Sequence, residues 1–474
     1  MTAPMTPADH VIVIFGANGD LSKRKLLPAL YHLYIEGLMP ENFRVIGTSR
    51  SEVSTEEFRE LARAAVDEFS RCGTSGAKWE GFVGNLSYAS TKFKPGNTEV
   101  IAGAVKKAEE EMTGEPLRFF YLSVPPAAFG DITEGVAEAG LNQRAKVVFE
   151  KPFGSDLASF KQLDATVRGA LDDDQVYRID HFLGKEPVQN IMALRFANGM
   201  FEPVWNREHI DHIQIDVPEE LGIGSRSGFY EKTGALRDMV VTHLFQLLSI
   251  VAMEPPSSFS SKALIDEKVK VFDSMPDIAP ERVVLGQYEG YRDEVGVDPG
   301  SETETFVALS TAVDNWRWEG VPFYLRTGKR MAERRSSITL AFRSPPKMLF
   351  PSAGSRLGHD HLTLDLGPNE GITFTFLAKK PGPTIEVAPA HMRFSYDGHF
   401  GSNLIEAYER LIHDGLLGER QLFTRADGIE RTWEMVQGIL DDPPVLHKYA
   451  PGSWGPEAAD EVIAPRRWHL PTSH

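Results

Sequence analysis

Hydrophobic positions in the first part of the chain alternate between short apolar runs and helical patterns. Residues 11–15 form a continuous apolar run rich in β-branched side chains, which is typical of a buried parallel strand. Similar strands are predicted at 44–47, 119–124 and 146–149, and helices at 21–34, 54–69 and 132–138. This alternation of strands and helices predicts a parallel sheet that is covered on both faces.

The pattern changes after about residue 180. Strand-like runs no longer alternate regularly with helices at 212–217, 305–313, 337–342 and 371–377. Near the C-terminus one face of a helix carries the apolar positions Leu404, Tyr408, Leu411 and Ile412. We therefore expect an α/β plus α+β protein. A Rossmann-type parallel-sheet domain (residues 1–180) would precede a larger α+β domain with a mainly antiparallel sheet (residues 181–474).

Composition excludes several classes of protein. Apolar residues make up 42% and aromatic residues 10% of the 474 positions, which excludes global disorder. The net charge of −17 opposes nucleic-acid binding as the main activity, because that activity needs a basic face. The only cysteine, Cys72, cannot form an intramolecular disulfide or a cysteine metal site, and it favours a reducing compartment.

Neither targeting nor membrane insertion is expected from the sequence. Residues 1–10 carry no basic run followed by an apolar stretch, so no signal peptide is predicted. The most apolar long stretch, 239–253, is too short to span a bilayer. We expect a cytoplasmic protein without a membrane partner.

A glycine turn follows the first predicted strand. The stretch reads Gly16-Ala17-Asn18-Gly19-Asp20-Leu21-Ser22 and leads into a helix. Glycine lets a backbone turn sharply and approach a pyrophosphate, and the helix N-terminus adds unpaired N–H groups. The full dinucleotide fingerprint has three glycines and this chain has two, so a plain strand–helix turn competes with a nucleotide site.

The end of the second strand bears on which nucleotide would bind. The sequence there has no acid for a ribose 2′-OH, but it has Thr48, Ser49 and Arg50. A guanidinium beside hydroxyls suits a 2′-phosphate. A solvated loop arginine is the alternative.

Two further segments carry candidate chemistry. Residues 178–187 form the densest polar cluster, in which His181 and Lys185 precede a helix that starts near Pro187. Cations at a helix N-terminus suit a phosphate, although a charged loop would look the same. His243 lies among Met239 and other apolar residues, where the residues alone favour a buried core histidine over a general base.

Long motifs in this order resemble the glucose-6-phosphate dehydrogenase family. Residues 178–186 resemble its R-I-D-H-Y-L-G-K-E signature, 16–26 its coenzyme loop, 150–154 its E-K-P-F-G, and 234–244 its G-x-x-R-D-x-x-x-N-H-L segment. Gly328-Lys329 with Arg334 resembles a lysine-bearing strand end, and 452–456 a C-terminal run. The resemblance covers nearly the whole chain.

The resemblance implies an activity and site residues. It implies oxidation of glucose 6-phosphate at C1 to 6-phosphogluconolactone, the first step of the oxidative pentose phosphate pathway, with NADP as the coenzyme and no metal. It also implies a homodimer or homotetramer and a cis bond at Pro152. His243 would be the general base and Asp180 its partner. Substrate contacts would come from Lys151, His181, Lys185, Glu219, Asp238, Lys329 and Arg334, and coenzyme contacts from Gly16, Gly19, Asp20, Leu21, Ser49, Arg50 and Lys151.

Two departures and one geometric question accompany these expectations. Phe182 stands where the family has tyrosine, and Thr242 where it has asparagine. Asp238 and His243 are five residues apart, which separates them by about 140° on a regular α-helix. Both can face one ligand only if the helix begins late or distorts. A weak relative kept as a regulator and a dehydrogenase of unphosphorylated sugars are the rival functions.

Overall fold

The computed structural model describes residues 6–74, 76–350, 360–401 and 405–470. Its strands in chain order are β1 His10–Phe15, β2 Phe43–Ser49, β3 Leu86–Ser90, β4 Leu117–Leu122, β5 Ala145–Phe149, β6 Val176–Ile179, β7 Ile210–Pro218, β8 Val283–Tyr288, β9 Phe306–Thr311, β10 Phe323–Gly328, β11 Ser336–Phe342, β12 His361–Gly367, β13 Gly371–Lys379, β14 Val387–Ser395, β15 Phe423–Thr424 and β16 Leu446–Tyr449.

The helices share the chain with these strands in both halves. The α-helices are α1 Leu27–Ile35, α2 Thr55–Phe69, α3 Ala77–Val83, α4 Glu99–Glu110, α5 Phe129–Glu138, α6 Leu157–Ala170, α7 Glu186–Phe196, α8 Ser227–Ala235, α9 Phe245–Ala252, α10 Ser261–Asp273, α11 Tyr396–Phe400, α12 Ala407–Leu417, α13 Ala426–Asp441 and α14 Ala459–Ile463. Two segments are π-helical: Ser22–Leu26 before α1 and Leu236–Leu244 between α8 and α9. Leu404 lies outside the described residues, whereas Tyr408, Leu411 and Ile412 lie on α12 as predicted.

The first of two compact units comprises the described residues of Met1–Gly184, Ser258–Ile265 and Ile405–Glu430. Its sheet has the order β15-β6-β5-β4-β1-β2-β3, and only β15 runs antiparallel to its neighbour. Every residue of β1 is buried, with β2 and β4 paired on its two sides, which explains its continuous apolar run. A capping box of Ser54 and Glu57 fixes the start of α2.

The second unit comprises the described residues of Lys185–Ser257, Asp266–Leu404 and Arg431–His474. Its nine strands have the order β14-β13-β12-β11-β7-β10-β9-β8-β16. Two pairs, β7 with β10 and β8 with β16, are parallel, and the other pairs are antiparallel. The predicted fold class, a parallel α/β sheet followed by a mainly antiparallel α+β part, is confirmed.

A long helical run lies in the second unit. Among the described residues, Gly224–Ala252 is the run with the length and apolar composition of a membrane span, and it contains the apolar stretch 239–253 except for its last residue. However, 89% of its most apolar window is buried inside the protein, as in an interior helix. The run bends at Gly234, whose φ of 65° and ψ of 177° are not helical.

Burial of His10 makes the stability of the first unit depend on pH. The ring of His10 is fully buried at the start of β1, and its Nδ1 lies 2.6 Å from the carbonyl oxygen of Ala8. Burial lowers the pKa of His10 from 6.5 to about 4. The folded state therefore resists protonation, and the unfolded chain takes up the proton first as the pH falls.

We expect His10 to remove about 3 kcal/mol of stability between pH 6.5 and pH 4, and no more below pH 4. Urea unfolding followed at pH 7.5, 6 and 4.5 measures this loss in the wild type. His10→Gln keeps a donor for Ala8 but does not titrate, so its stability should fall less over the same range. Equal losses in both proteins would show that other groups cause the acid sensitivity.

Candidate active site

The glycine turn after β1 is built for close backbone approach. Gly16 has a φ of 80°, and a Cβ at this position would lie 2.0 Å from the carbonyl oxygen of Ser123. Its N–H donates to the carbonyl oxygen of Thr48 at 2.8 Å, and the N–H of Gly19 donates to the carbonyl oxygen of Gly16 at 2.8 Å. A side chain at position 16 would clash with the backbone of Ser123, so the turn needs glycine there. Asp20 and Leu21 follow at the helix start, and Asp20 is exposed.

The end of β2 presents hydroxyls and a guanidinium. The hydroxyl of Ser49 lies 2.7 Å from the hydroxyl of Tyr88 on β3, and the side-chain amide of Asn18 donates to Tyr88 at 3.0 Å. Arg50 is exposed and has no hydrogen bond or ion pair with any described residue. Within the first unit, this places an available positive charge beside a preformed hydroxyl network. Tyr88 was not predicted, because nothing in the local sequence links β3 to the glycine turn.

A buried carboxyl group supports the next candidate, Lys151. The Lys151-Pro152 bond is cis, as the resemblance implies. The preceding residue, Glu150, is buried and accepts a hydrogen bond from the hydroxyl of Tyr121 at 2.6 Å. Burial raises the pKa of Glu150, and hydrogen bonds from Tyr121 and Tyr408 and the charge of Lys151 oppose that rise. The carboxyl thus holds the strand end on which Lys151 lies.

Asp180 and His181 form a tight turn after β6. Asp180 is 1% exposed, and its Oδ1 accepts from the N–H of Phe182 at 2.9 Å. The ring of His181 is stacked on Tyr408, with centroids 6.4 Å apart and planes 9° apart. Burial raises the pKa of Tyr408, and Glu150 and Asp180 add to the rise. Tyr408 therefore links Glu150, and with it the Lys151 segment, to the Asp180–His181 turn, a contact that sequence reasoning missed.

Phe182 is buried and packs against His181. Its side chain is 6% exposed, and its ring lies 4.9 Å from the ring of His181. The ring therefore supports His181 by packing.

In the second unit, Lys185 occupies the N-cap position of α7. Its carbonyl oxygen accepts from the N–H groups of Val188 and Gln189 at 3.1 and 3.2 Å. Burial raises the pKa of the nearby Glu370, the charge of Lys185 opposes this rise, and Glu186 adds to it. The ammonium group of Lys185 is therefore close to a helix N-terminus and to acidic groups at once.

Asp238 and His243 are five residues apart and both lie in the π-helical segment Leu236–Leu244. A π-helix joins residues five apart, so positions 238 and 243 lie one turn apart on the same side. The N–H of Phe245 donates to the carbonyl oxygen of Val240, and the hydroxyl of Thr242 to that of Arg237 at 3.0 Å. Asp238 is 5% and His243 0% exposed. The segment thus departs from α-helical geometry, and this departure lets Asp238 and His243 share one face.

Glu219 and Lys329 meet in the same unit. They follow the parallel neighbours β7 and β10, and their side chains form an ion pair. The ammonium of Lys329 also lies 5.5 Å from the ring centroid of Tyr230. Burial raises the pKa of Tyr230 strongly, and the charges of Asp238, Glu304 and Glu219 add to the rise. Glu219, Asp238 and Lys329 therefore lie near one buried tyrosine ring.

Arg334 differs from these residues. It lies exposed in the loop between β10 and β11, and it makes no hydrogen bond or ion pair with another described residue. Its predicted substrate role stays a prediction.

Comparison with known proteins gives one consistent result. Residues 13–190 match the family described as glucose-6-phosphate dehydrogenase, NAD binding domain, and residues 192–469 match glucose-6-phosphate dehydrogenase, C-terminal domain. The chain is 40% identical over 490 residues to glucose-6-phosphate 1-dehydrogenase of Chlamydia muridarum, covering 98% of this chain and 96% of the relative. It is 42% identical over 483 residues to that of Rhizobium meliloti, covering 97% and 96%.

Solved structures agree with the sequence comparison. The glucose-6-phosphate 1-dehydrogenase of Mycobacterium avium superposes with a TM-score of 0.88 at 37% identity, covering 99% of this chain and 100% of that one. A glucose-6-phosphate dehydrogenase in complex with its substrate glucose 6-phosphate superposes with a TM-score of 0.91 at 32% identity, with the same coverage. The similarity spans the sequence of both units.

Proposed function

This chain belongs to the glucose-6-phosphate dehydrogenase family, and we propose that it oxidises glucose 6-phosphate with His243 as the general base. The reaction removes a hydride from C1 of the sugar, transfers it to NADP and yields 6-phosphogluconolactone. It is the first step of the oxidative pentose phosphate pathway. The observation that carries the proposal is the π-helical segment, because it gives Asp238 and the buried His243 one common face.

His243 takes the proton of the C1 hydroxyl in this proposal. Loss of the hydride from a hemiacetal carbon requires loss of that proton, and an imidazole suits the task near neutral pH. Asp180 stabilises the imidazolium that results. Its fixed turn geometry, with Oδ1 bonded to the N–H of Phe182, supports this role because a held carboxylate needs no reorganisation.

The substrate contacts divide by chemistry. His181 and Lys185 hold the phosphate, and the α7 N-terminus supports Lys185 in this role. Glu219, Asp238 and Lys329 bind sugar hydroxyls, which is supported by their grouping around Tyr230. Lys151 and Arg334 complete the set that the family resemblance implies.

NADP fits the first unit. The glycine turn, in which Gly16 keeps the backbone free of a side chain just before the helix start, suits a pyrophosphate beside Gly19, Asp20 and Leu21. Ser49 and Arg50 hold the 2′-phosphate, and Lys151 completes the contacts. When bound, the coenzyme supplies the hydride acceptor, and the protein supplies position and proton transfer.

Arg50→Ala should weaken binding of NADP by about tenfold to a hundredfold and that of NAD little. The reason is that only NADP carries the 2′-phosphate that the guanidinium would contact. Titration of both coenzymes by fluorescence measures the two affinities. Arg44→Ala is a matched control, since Arg44 lies at the other end of β2 and bonds to Asn85. Equal losses for NADP and NAD would assign Arg50 a structural role.

One assay separates the proposal from its rivals. Coenzyme reduction is measured with glucose 6-phosphate, with glucose and without sugar. We expect reduction with glucose 6-phosphate and much slower reduction with glucose. No reduction with either sugar would favour a regulator, and equal rates would favour a dehydrogenase of unphosphorylated sugars.

We also propose a cytoplasmic homodimer or homotetramer that needs no nucleic-acid or membrane partner. The lone Cys72 and the net charge of −17 support the location and the lack of a polyanion partner. Exposed apolar side chains near the β14 edge of the second sheet, including Met392 and Phe400, support association. Light scattering after size-exclusion chromatography measures the subunit number, and a monomer would contradict the proposal.

A further inference from the structure

Glu304 is a buried carboxyl group outside the residues assigned so far. It precedes β9 and is 8% exposed. Its Oε1 accepts a hydrogen bond from the N–H of Leu236 at 2.9 Å, and its carbonyl oxygen accepts from the N–H of Ala235 at 2.9 Å. These two N–H groups stand at the start of the π-helical segment, so a residue 68 positions away satisfies donors that a helix start leaves open.

The helix break at Gly234 and the carboxyl of Glu304 fit each other. Gly234 has a φ of 65°, which favours glycine, and a Cβ there would lie 2.2 Å from Oε1 and 2.5 Å from Oε2 of Glu304. The carboxyl thus occupies the space that a side chain at position 234 would take. Without the break, the N–H of Leu236 would be bonded within the helix and would not meet Glu304.

Thr305, which follows Glu304, is hydrogen-bonded to Lys329. The carbonyl oxygen of Thr305 accepts from the N–H of Lys329 at 2.8 Å. The hydroxyl of Tyr449 lies 2.9 Å from the Thr305 hydroxyl and donates to the carbonyl oxygen of Lys329 at 2.6 Å. Two consecutive residues, 304 and 305, therefore hold the start of the π-helical segment and the backbone of Lys329.

We propose that Glu304 is a positioning residue that fixes the π-helical segment carrying Asp238 and His243 relative to Lys329. This inference rests on the proposed function for the roles of those three residues. A π-helix is rare, so a segment that needs this geometry benefits from an external hold at its first N–H groups. Displacement of a catalytic group by about 1 Å costs roughly 10²-fold in rate.

Two variants of the buried Glu304 distinguish the role of its oxygen as a hydrogen-bond acceptor from the role of its charge. Burial raises the pKa of Glu304, and the hydrogen bond from Leu236 opposes the rise. The role of Glu304 therefore depends on its oxygen as an acceptor. Glu304→Gln keeps an acceptor of the same length, and Glu304→Ala removes it. Glu254→Ala is a matched control, because it breaks a contact with Arg317 in the same unit without touching the π-helical segment.

Two measurements test the proposal on the full-length protein. In hydrogen exchange, we expect Glu304→Ala to speed exchange in peptides covering residues 235–244 at least tenfold, and Glu304→Gln and Glu254→Ala to leave it nearly unchanged. In kinetics, we expect Glu304→Ala to lower kcat about 10–10²-fold with unchanged NADP affinity, and Glu304→Gln to stay within about threefold of wild type.

Some outcomes would overturn the inference. These are unchanged exchange in Glu304→Ala, a fall in thermal stability with unchanged kcat, or equal losses in the glutamine and alanine variants. An inactive wild type would instead contradict the proposed function, and hydrogen exchange would still decide whether Glu304 holds the segment.

Discussion

His243→Asn is expected to lower kcat by about 10²–10⁴-fold and to leave the binding of NADP and glucose 6-phosphate nearly intact. The imidazole lies on the π-helical segment and is fully buried. Asparagine retains polarity and approximate size but cannot accept the proton. The loss should shrink at high pH, because hydroxide then substitutes for the missing base.

Steady-state rates across pH 6 to 10, together with calorimetric binding of substrate and coenzyme, measure this result. Thr242→Ala is the control for disturbance of the segment, since its hydroxyl bonds only to the carbonyl oxygen of Arg237 among the described residues. It should cost little in kcat. A His243→Asn enzyme within a few-fold of wild type at neutral pH would remove His243 from the role of base.

The sequence predicted the elements whose signals are local. The apolar run at 11–15, the alternation that follows it and the helix predicted at 54–69 correspond to β1, the first sheet and α2. The glycine turn was predicted from its composition, and Gly16 shows the positive φ and close approach that make glycine necessary. The signals for these features come from residues that are neighbours in the sequence, so a single sequence is enough to predict them.

Features that depend on distant residues were not predicted. β15 joins β6 in the first sheet although about 240 residues separate them, and Tyr408 stacks on His181 from α12. The sequence does not predict the π-helical geometry at 236–244, because spacing along one helix cannot show what holds its first N–H groups. The answer lies in Gly234 and Glu304, which no periodic pattern connects.

Lys185→Ala is expected to raise KM for glucose 6-phosphate by about 10²–10³-fold. A lost charge-assisted contact to the phosphate is worth about 1.5–3 kcal/mol, which alone is roughly tenfold to a hundredfold. The surroundings of Lys185 add to this, because Glu186, Glu370 and Asp397 form an acidic group that the lysine charge offsets. Without it, a phosphate dianion would approach uncompensated like charges.

A double-mutant cycle tests both parts of this argument. Glu370→Gln removes one acidic neighbour, so the double variant Lys185→Ala/Glu370→Gln should have a lower KM than Lys185→Ala alone. Glu370→Gln by itself should lower KM slightly relative to the wild type. Slow oxidation of glucose is the internal control, since glucose has no phosphate and should be almost unaffected by Lys185→Ala. If both substrates lost activity alike, Lys185 would act on the start of α7, whose N–H groups at Val188 and Gln189 bond to its carbonyl oxygen, and not on the phosphate. If the double variant recovered nothing, the acidic group would not contribute, and the effect of Lys185 would be its direct contact alone.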